Sequence, residues 1–331
     1  MHRIVGAAVA AALSITSIFA SPGLASTPPP GGHEWQVQAG SPPRFDAAGP
    51  SGAGNRFYPE AITIHQGDHI TFTPAGPHTV TFNRPPGPIF RFLDPSFPAT
   101  PSPATITSAS DSVMGIIGFG PPGPPEHYVV SFTSPGTYQI ICGLHLGMTL
   151  SVDVRPTGAT LPKEDAQYLA IAQAAITRDL ATVDRIAAAA TDNFEDEDGN
   201  PTVLVGAGDK RVSNIRFFPA SVTIRVGRSI NFLKTQDPTE PHTVTFGNAF
   251  DPNDPLAEFR ASGGSRYNGT GVANSGFLST SQQFSFYQLA GTGLPVAVTR
   301  YRLTFTSVGD FPYICAIHDP AGMVGIVHVV R

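Results

Sequence analysis

The sequence predicts an all-β protein built as two copies of one unit, and three observations carry that expectation. The first is composition. Of 331 residues only 14% are charged, Gly and Pro number 34 and 33, and 22 Phe accompany many Val, Ile and Thr. That mixture suits short strands joined by turn-rich loops. The second is a long-period repeat. Arg56-Phe57-Tyr58-Pro59, Ile62-Thr63-Ile64, Gly67, Ile70 and Phe72 recur at a constant offset as Arg216-Phe217-Phe218-Pro219, Val222-Thr223-Ile224, Gly227, Ile230 and Phe232. The third is alternation: Ile62, Ile64, Ile70 and Phe72 flank Gln66-Gly67-Asp68 as in a hairpin with one buried face.

Taken in order, the chain opens with Met1-His2-Arg3, an apolar run from Ile4 to Ala20 and Gly23-Leu24-Ala25. This is the layout of a secretory signal over residues 1–25, so export to a periplasm, cell surface or medium is expected. No later apolar run is long enough to span a bilayer, so no stable membrane insertion is expected once the signal is removed. The formal charge of -5, with three Lys among the basic residues, gives no electrostatic footprint for nucleic acid.

The first unit is placed at 33–155. Trp35 and Val37, ending at Ala39-Gly40, read as a strand that recurs at Val203 and Val205, ending at Ala207-Gly208. After the Ile62 to Phe72 pair comes Pro77-His78-Thr79-Val80-Thr81-Phe82, matched by Pro241 to Phe246 around His242 after a longer loop. Long segments follow at about 83–127 and 247–300, rich in Pro, Gly, Ser and Asn, where the copies diverge; loops of this kind are often functional. Each copy closes with a strand pair, Val130 and Phe132 then Tyr138 to Ile141, matched by Leu303 and Phe305 then Phe311 to Ile314, and with final strands at Leu150–Val154 and Val324–Val330.

A linker with a helix is placed at 156–200 and the second unit at 201–331. From Pro162 to about Ala190, Leu169, Ile176, Leu180, Val183 and Ala187 fall at helical spacing, with Glu164 and Asp165 in the first turn. The helix is read as a spacer packed between two β-domains. Glu195-Asp196-Glu197-Asp198-Gly199 fails the EF-hand register, with Phe194 and Val205 at ligand positions, and reads as a solvated linker.

Chemistry concentrates at two points. Cys142, His145 and Met148 lie on one short loop, and Cys315, His318 and Met323 on its counterpart. Thiolate, imidazole and thioether together suit copper, and a trigonal His2Cys site with a weak axial Met needs one more histidine. His78 and His242 supply it. The only two cysteines of an exported chain, sitting at equivalent positions in two units, are poorly placed to pair, whereas a bound metal keeps each one ionised. The metal ligand sets are therefore His78, Cys142, His145, Met148 and His242, Cys315, His318, Met323. His65 and His69 face Arg225 and Ser229 in the other copy, and His33, His127 and His328 are unrepeated, so these five are read as surface or hydrogen-bonded residues.

On these motifs the chain resembles two tandem cupredoxins. The spacing of Cys315, His318 and Met323 is similar to plastocyanin and pseudoazurin, and the tighter Cys142, His145 and Met148 to amicyanin. The resemblance implies two Greek-key β-sandwiches joined by the helical linker, one type 1 copper in each, and His145 and His318 near the surface where redox partner proteins dock. Leu144, Leu146 and Gly147 would give the first site an apolar rim; Ile317, Asp319 and Pro320 make the second more polar.

The function expected is copper-binding electron transfer without catalysis. Multicopper oxidases need His-x-His pairs, which the chain lacks, and copper nitrite reductases place a His beside the type 1 Cys, where this chain has Ile141, Gly143, Ile314 and Ala316. Copper sequestration or delivery without redox turnover is the alternative.

Overall fold

The computed structural model describes residues 31–42, 44–46, 49–84, 100–118, 127–190, 194–251, 253–254, 256–289 and 291–331. The expected signal at 1–25 lies outside them, as do 85–99 and 119–126 of the first long segment.

The first unit begins with β1 (Glu34–Ala39), a small hairpin β2 (Arg44–Asp46) and β3 (Gly49–Gly54), β4 (Phe57–Tyr58), β5 (Ala61–His65), β6 (His69–Pro74) and β7 (His78–Phe82). It continues with β8 (Ala104–Ile106), β9 (Val113–Ile117), β10 (Tyr128–Phe132), β11 (Gly136–Ile141) and β12 (Thr149–Arg155). These form two sheets, ordered β4-β1-β6-β10-β8 and β5-β12-β11-β7-β9. Val37, Ile70, Phe72 and Val130 from one sheet meet Ile64, Val80, Ile140 and Val152 from the other in a continuous buried core. Each such side chain contributes about 1.5 to 3 kcal/mol by leaving water.

Alternation along these strands is as expected, but the pairing differs. β5 and β6 are not a hairpin: β5 pairs with β12 and β6 with β1 and β10, so the Gly67 turn carries the chain from one sheet to the other. β10 and β11 also sit in opposite sheets. Both sheets bury the face that meets the same core, so alternation reports burial and leaves the neighbour unspecified. The first long segment likewise holds structure, since β8 and β9 extend one sheet each.

Helix α1 (Asp165–Ala189) starts from a capping box in which Gln167 Oε1 accepts the Glu164 N–H at 2.8 Å. Its buried face is Tyr168, Ala172, Ala175, Ile176, Asp179 and Val183, whereas Leu169 from the expected stripe is 53% exposed. Small alanines let the helix approach the strands closely, so the seam follows Ala and Tyr instead of the Leu positions. The Tyr168 hydroxyl accepts the Thr63 N–H of the first unit at 2.8 Å, and Val183 O accepts Asn214 Nδ2 of the second at 3.2 Å. Buried Asp179 ties the helix down by accepting the Tyr58 hydroxyl at 2.7 Å and pairing with Arg56 at 3.2 Å. The helix thus lies between the two β-domains.

The second unit follows β13 (Phe194–Glu195) with β14 (Pro201–Gly208), β15 (Val212–Phe218), β16 (Ser221–Arg225), β17 (Ser229–Leu233) and β18 (Thr245–Phe246). Its long segment holds β19 (Arg266–Tyr267), β20 (Ala273–Asn274) and α2 (Ser281–Tyr287), before β21 (Arg300–Phe305), β22 (Gly309–Ile314) and β23 (Val324–Val330). One sheet runs β16-β23-β22-β18-β20; the other runs β19-β21-β17-β14-β15-β3-β2 and so includes the hairpin of the first unit. Gly54 pairs with Val212 and Ala53 with Ser213, making a backbone ladder between the two halves of the chain.

Register also corrects the alignment of the first strands. Val37 pairs with Phe72 and Val203 with Phe232, so Gly40 corresponds to Gly206 and not to Gly208. A two-residue slip leaves every side chain on its own face, so the hydrophobic pattern is blind to it.

Candidate metal centres

Each centre joins a residue on one strand path to a loop between two others. His78 opens β7, and the loop from β11 to β12 carries Cys142, His145 and Met148. That loop is closed by the Cys142 N–H to Met148 O at 2.9 Å and the Met148 N–H to His145 O at 3.1 Å. In the second unit His242 bridges Leu278 by two backbone bonds, and the loop after β22 closes through the Cys315 N–H to Met323 O at 3.0 Å. The longer spacing from His318 to Met323 is taken up by a 3-10 turn at Asp319–Ala321, ended by Gly322 in the left-handed conformation at φ +87°.

The structure brings His78, Cys142 and His145 together, and separately His242, Cys315 and His318, with the ligand atoms of each group within 4.8 Å of one another. Cys142 Sγ lies 3.8 Å from His78 Nδ1 and 3.4 Å from His145 Nδ1. Cys315 Sγ lies 3.8 Å from His242 Nδ1 and 3.5 Å from His318 Nδ1, and the two nitrogens are 3.2 Å apart. A point equidistant from those last three atoms sits about 2 Å from each, close to metal–imidazole and metal–thiolate bond lengths. Met148 and Met323 are buried beside their cysteines.

Matching backbone donors support each sulfur. The Thr79 and Leu144 N–H groups point at Cys142 Sγ at 3.4 Å, and the Thr243 N–H at Cys315 Sγ at 3.3 Å. Thr79 Oγ1 accepts from the Gly143 N–H and Thr243 Oγ1 from the Ala316 N–H, both at 2.7 Å, fixing the cysteine backbone. Burial alone would push both thiols up, but the charge of His145 or His318 and the imidazole hydrogen bonds hold them well below the ordinary thiol range. Such sulfurs are ready to bind a cation as thiolates.

The loop histidines are not at an open surface. His145 is 7% exposed, and Glu240 of the second unit covers its Nε2, with Oε1 2.9 Å away. The other oxygen of Glu240 faces His318 Nε2 at 3.4 Å. Part of each rim is covered too: Leu144 and Ile317 pack into a cluster with Met114, Phe277, Phe284 and Tyr287, and Leu144 O accepts the Tyr287 hydroxyl at 2.8 Å. Of the expected rim of the first site, Leu144 is therefore covered from within the chain by α2 and its neighbours, while Leu146 is half-buried and Gly147 exposed.

Sequence reasoning misses the residues behind the histidines. Asp237 Oδ2 lies 3.1 Å from His242 Nε2, while its Oδ1 accepts from Ser213, Thr239 and the Glu240 N–H. Buried Lys234 donates to Asp237 O and to Gln283 Oε1. Burial lowers His78, whereas His242, although equally buried, is raised by its bond to Asp237. Lys234, Asp237 and Glu240 all sit in the loop before His242, longer than its counterpart before His78; that extra length is the one signal that could have pointed to them. Gly40 and Gly206 are the other omission. A Cβ at either would come within 2.3 Å of the Nε2 of His78 or His242.

Of the remaining histidines, His33 pairs with Asp165, His65 lies 2.7 Å from Ala159 O, His127 3.3 Å from Thr73 Oγ1 and His328 2.6 Å from Asp310. His69 departs from expectation: it is buried, and neither ring nitrogen has a hydrogen-bond partner among the described residues.

A family model for copper-binding proteins of the plastocyanin/azurin family matches residues 201–330. The matched segment is the second unit. The His/Cys/His group of this matched segment recurs in the first unit, giving the chain two groups compatible with copper. Among solved structures, the chain is similar to oxidised plastocyanin from Dryopteris crassirhizoma, at 20% identity over 39% of this chain and 99% of that one, with a TM-score of 0.23. It is also similar to a Cu(I) form of a methionine-to-alanine mutant of amicyanin, at 16% identity over 42% and 93%, TM-score 0.24. Native pseudoazurin from Hyphomicrobium denitrificans matches at 17% identity over 39% and 74%, TM-score 0.24. No curated protein sequence matches the chain.

Proposed function

We propose that this chain is an exported, non-enzymatic electron carrier with two type 1 copper centres. His78, Cys142, His145 and Met148 hold the first and His242, Cys315, His318 and Met323 the second. The observation that carries this is the triangle of Cys315 Sγ, His242 Nδ1 and His318 Nδ1, with sides of 3.8, 3.5 and 3.2 Å and a matching set at Cys142. The buried methionines, bonded through their backbones to the cysteines, support the axial assignment. The leader at 1–25 supports export to a periplasm or cell exterior. We assign 33–155 and 201–331 to the domains and 156–200 to the linker.

Copper held this way supplies a one-electron couple. The chain's part is to keep the ligands still: backbone bonds lock the loop ends, Thr79 and Thr243 orient the sulfurs, and burial excludes water. A frame that holds one geometry for both oxidation states keeps the barrier to electron transfer low.

The test is to load the mature chain with copper and follow its visible spectrum through repeated reduction and reoxidation. An intense thiolate-to-copper band that bleaches and returns reversibly is the expected result. Metal lost on each cycle would overturn the carrier and favour delivery or sequestration.

A further inference from the structure

The carboxylate between the two centres does more than close the domain interface. Glu240 is 5% exposed, and its two oxygens are shared between the two loop histidines, Oε1 at 2.9 Å from His145 Nε2 and Oε2 at 3.4 Å from His318 Nε2. On each ring the opposite nitrogen, Nδ1, faces a cysteine sulfur, at 3.4 Å in the first centre and 3.5 Å in the second. One imidazole, one carboxylate and a second imidazole therefore stand in series between the two groups, each at ion-pair distance from the next.

The bridge is fixed from both halves of the chain. Asn55 of the first unit donates to Glu240 Oε1 at 3.0 Å, and Asp237 of the second accepts the Glu240 N–H at 3.0 Å. The β3–β15 ladder next to Asn55 prevents the halves from sliding past each other. Buried, prearranged polar groups of this kind need little reorganisation when charge moves beside them.

We propose that Glu240 wires the two centres together, so that an electron accepted at one passes within the same molecule to the other through His145, Glu240 and His318. The step is a single electron transfer. A cuprous ion at one centre becomes cupric as a cupric ion at the other becomes cuprous, while the Nε2 hydrogens stay on their imidazoles and no bond breaks. The second centre is then the first one's redox partner, and the buried rim around Leu144 is its permanent docking surface. This rests on both centres holding copper.

The experiment uses the full mature chain loaded with two coppers, flash-reduced by less than one electron per molecule and followed by rapid-freeze spectroscopy at each centre. Redistribution between centres is expected at a rate independent of chain concentration over a tenfold dilution, and at least tenfold slower in Glu240→Ala. Nitrogen-15 spectra of the fully cuprous protein should show two slowly exchanging Nε2–H protons, both lost in the variant. A rate proportional to chain concentration would overturn the proposal, as would a wild-type rate in Glu240→Ala with both coppers in place. Should that variant not fold, the wild-type dilution series and the Nε2–H signals decide alone. Absence of the thiolate-to-copper bands would instead strike the carrier reading.

Discussion

Asp237 Oδ2 stands 3.1 Å from the Nε2 of His242, and no carboxylate is bonded to the equivalent nitrogen of His78 among the described residues. The two centres share their ligand types and differ in what supports them. A carboxylate behind a ligating imidazole raises its basicity and favours the more highly charged metal state, and losing it typically costs 10- to 100-fold in metal affinity. If that loss falls on the cupric state, Asp237→Asn raises the potential of the second centre by roughly 60 to 120 mV. Spectroelectrochemistry should show the first centre unmoved; equal shifts at both, or none, would contradict the assignment.

The glycines under the histidines give a site-selective test. Gly40 and Gly206 have φ of +79° and +76°, and a Cβ at either would approach the histidine Nε2 to 2.3 Å. Left-handed backbone alone costs a side-chain-bearing residue roughly 1 to 2 kcal/mol, and the collision adds to it. Gly40→Ala should displace His78 and weaken copper at the first centre only, and Gly206→Ala at the second only. Equilibrium copper titration of the two variants reads this directly.

Much of this architecture is legible in the sequence. The two His/Cys/His groups are legible because Cys and His recur at the same spacing in two copies. Strand positions follow from alternation at Ile62, Ile64, Ile70 and Phe72. Which strand pairs with which does not, because both sheets of a sandwich bury the same kind of face, and a two-residue slip at Gly206 changes no face at all. Glu240 is hidden for a different reason: it lies where the repeats stop aligning, and its role depends on His145, 95 positions away in the chain. The cover on Leu144 is hidden likewise, since Leu144 beside such a loop looks the same whether it awaits a separate protein or meets Tyr287 of its own chain.

Helix α1 is held by a buried charge pair. Asp179 accepts the Tyr58 hydroxyl and pairs with Arg56, which also binds Glu60. Removing Asp179 leaves the Tyr58 hydroxyl without that acceptor and Arg56 with Glu60 alone, so the cost falls below the roughly 3 to 5 kcal/mol of a fully uncompensated buried charge, at about 1 to 3 kcal/mol. Asp179→Ala should lower the denaturation midpoint accordingly, and Asp179→Asn, which can still accept the Tyr58 hydroxyl, should cost less. Chemical denaturation of the metal-free protein measures both.

Asp196 links acidity to stability away from the metal. The Asn200 N–H, then the side chains of Asn200 and Asn231, hold its carboxyl down at about 2, against an ordinary 3.8. A depressed folded-state value contributes stability that is complete above the ordinary value and disappears as pH falls through the folded one. The stability gap between wild type and Asp196→Ala should therefore be constant above about pH 5 and close toward about pH 2. A gap that stays constant through that window would show that the carboxylate charge is not what anchors this turn to β17.

The central claim is that one chain carries two separate His2Cys copper centres, and counting copper against the cysteines tests it most directly. Quantitative metal analysis and double-integrated paramagnetic resonance of the oxidised protein should give two coppers per chain, and one in each of Cys142→Ser and Cys315→Ser, with the surviving spectrum different in the two. A wild-type count of one, or either variant retaining both coppers, would contradict it.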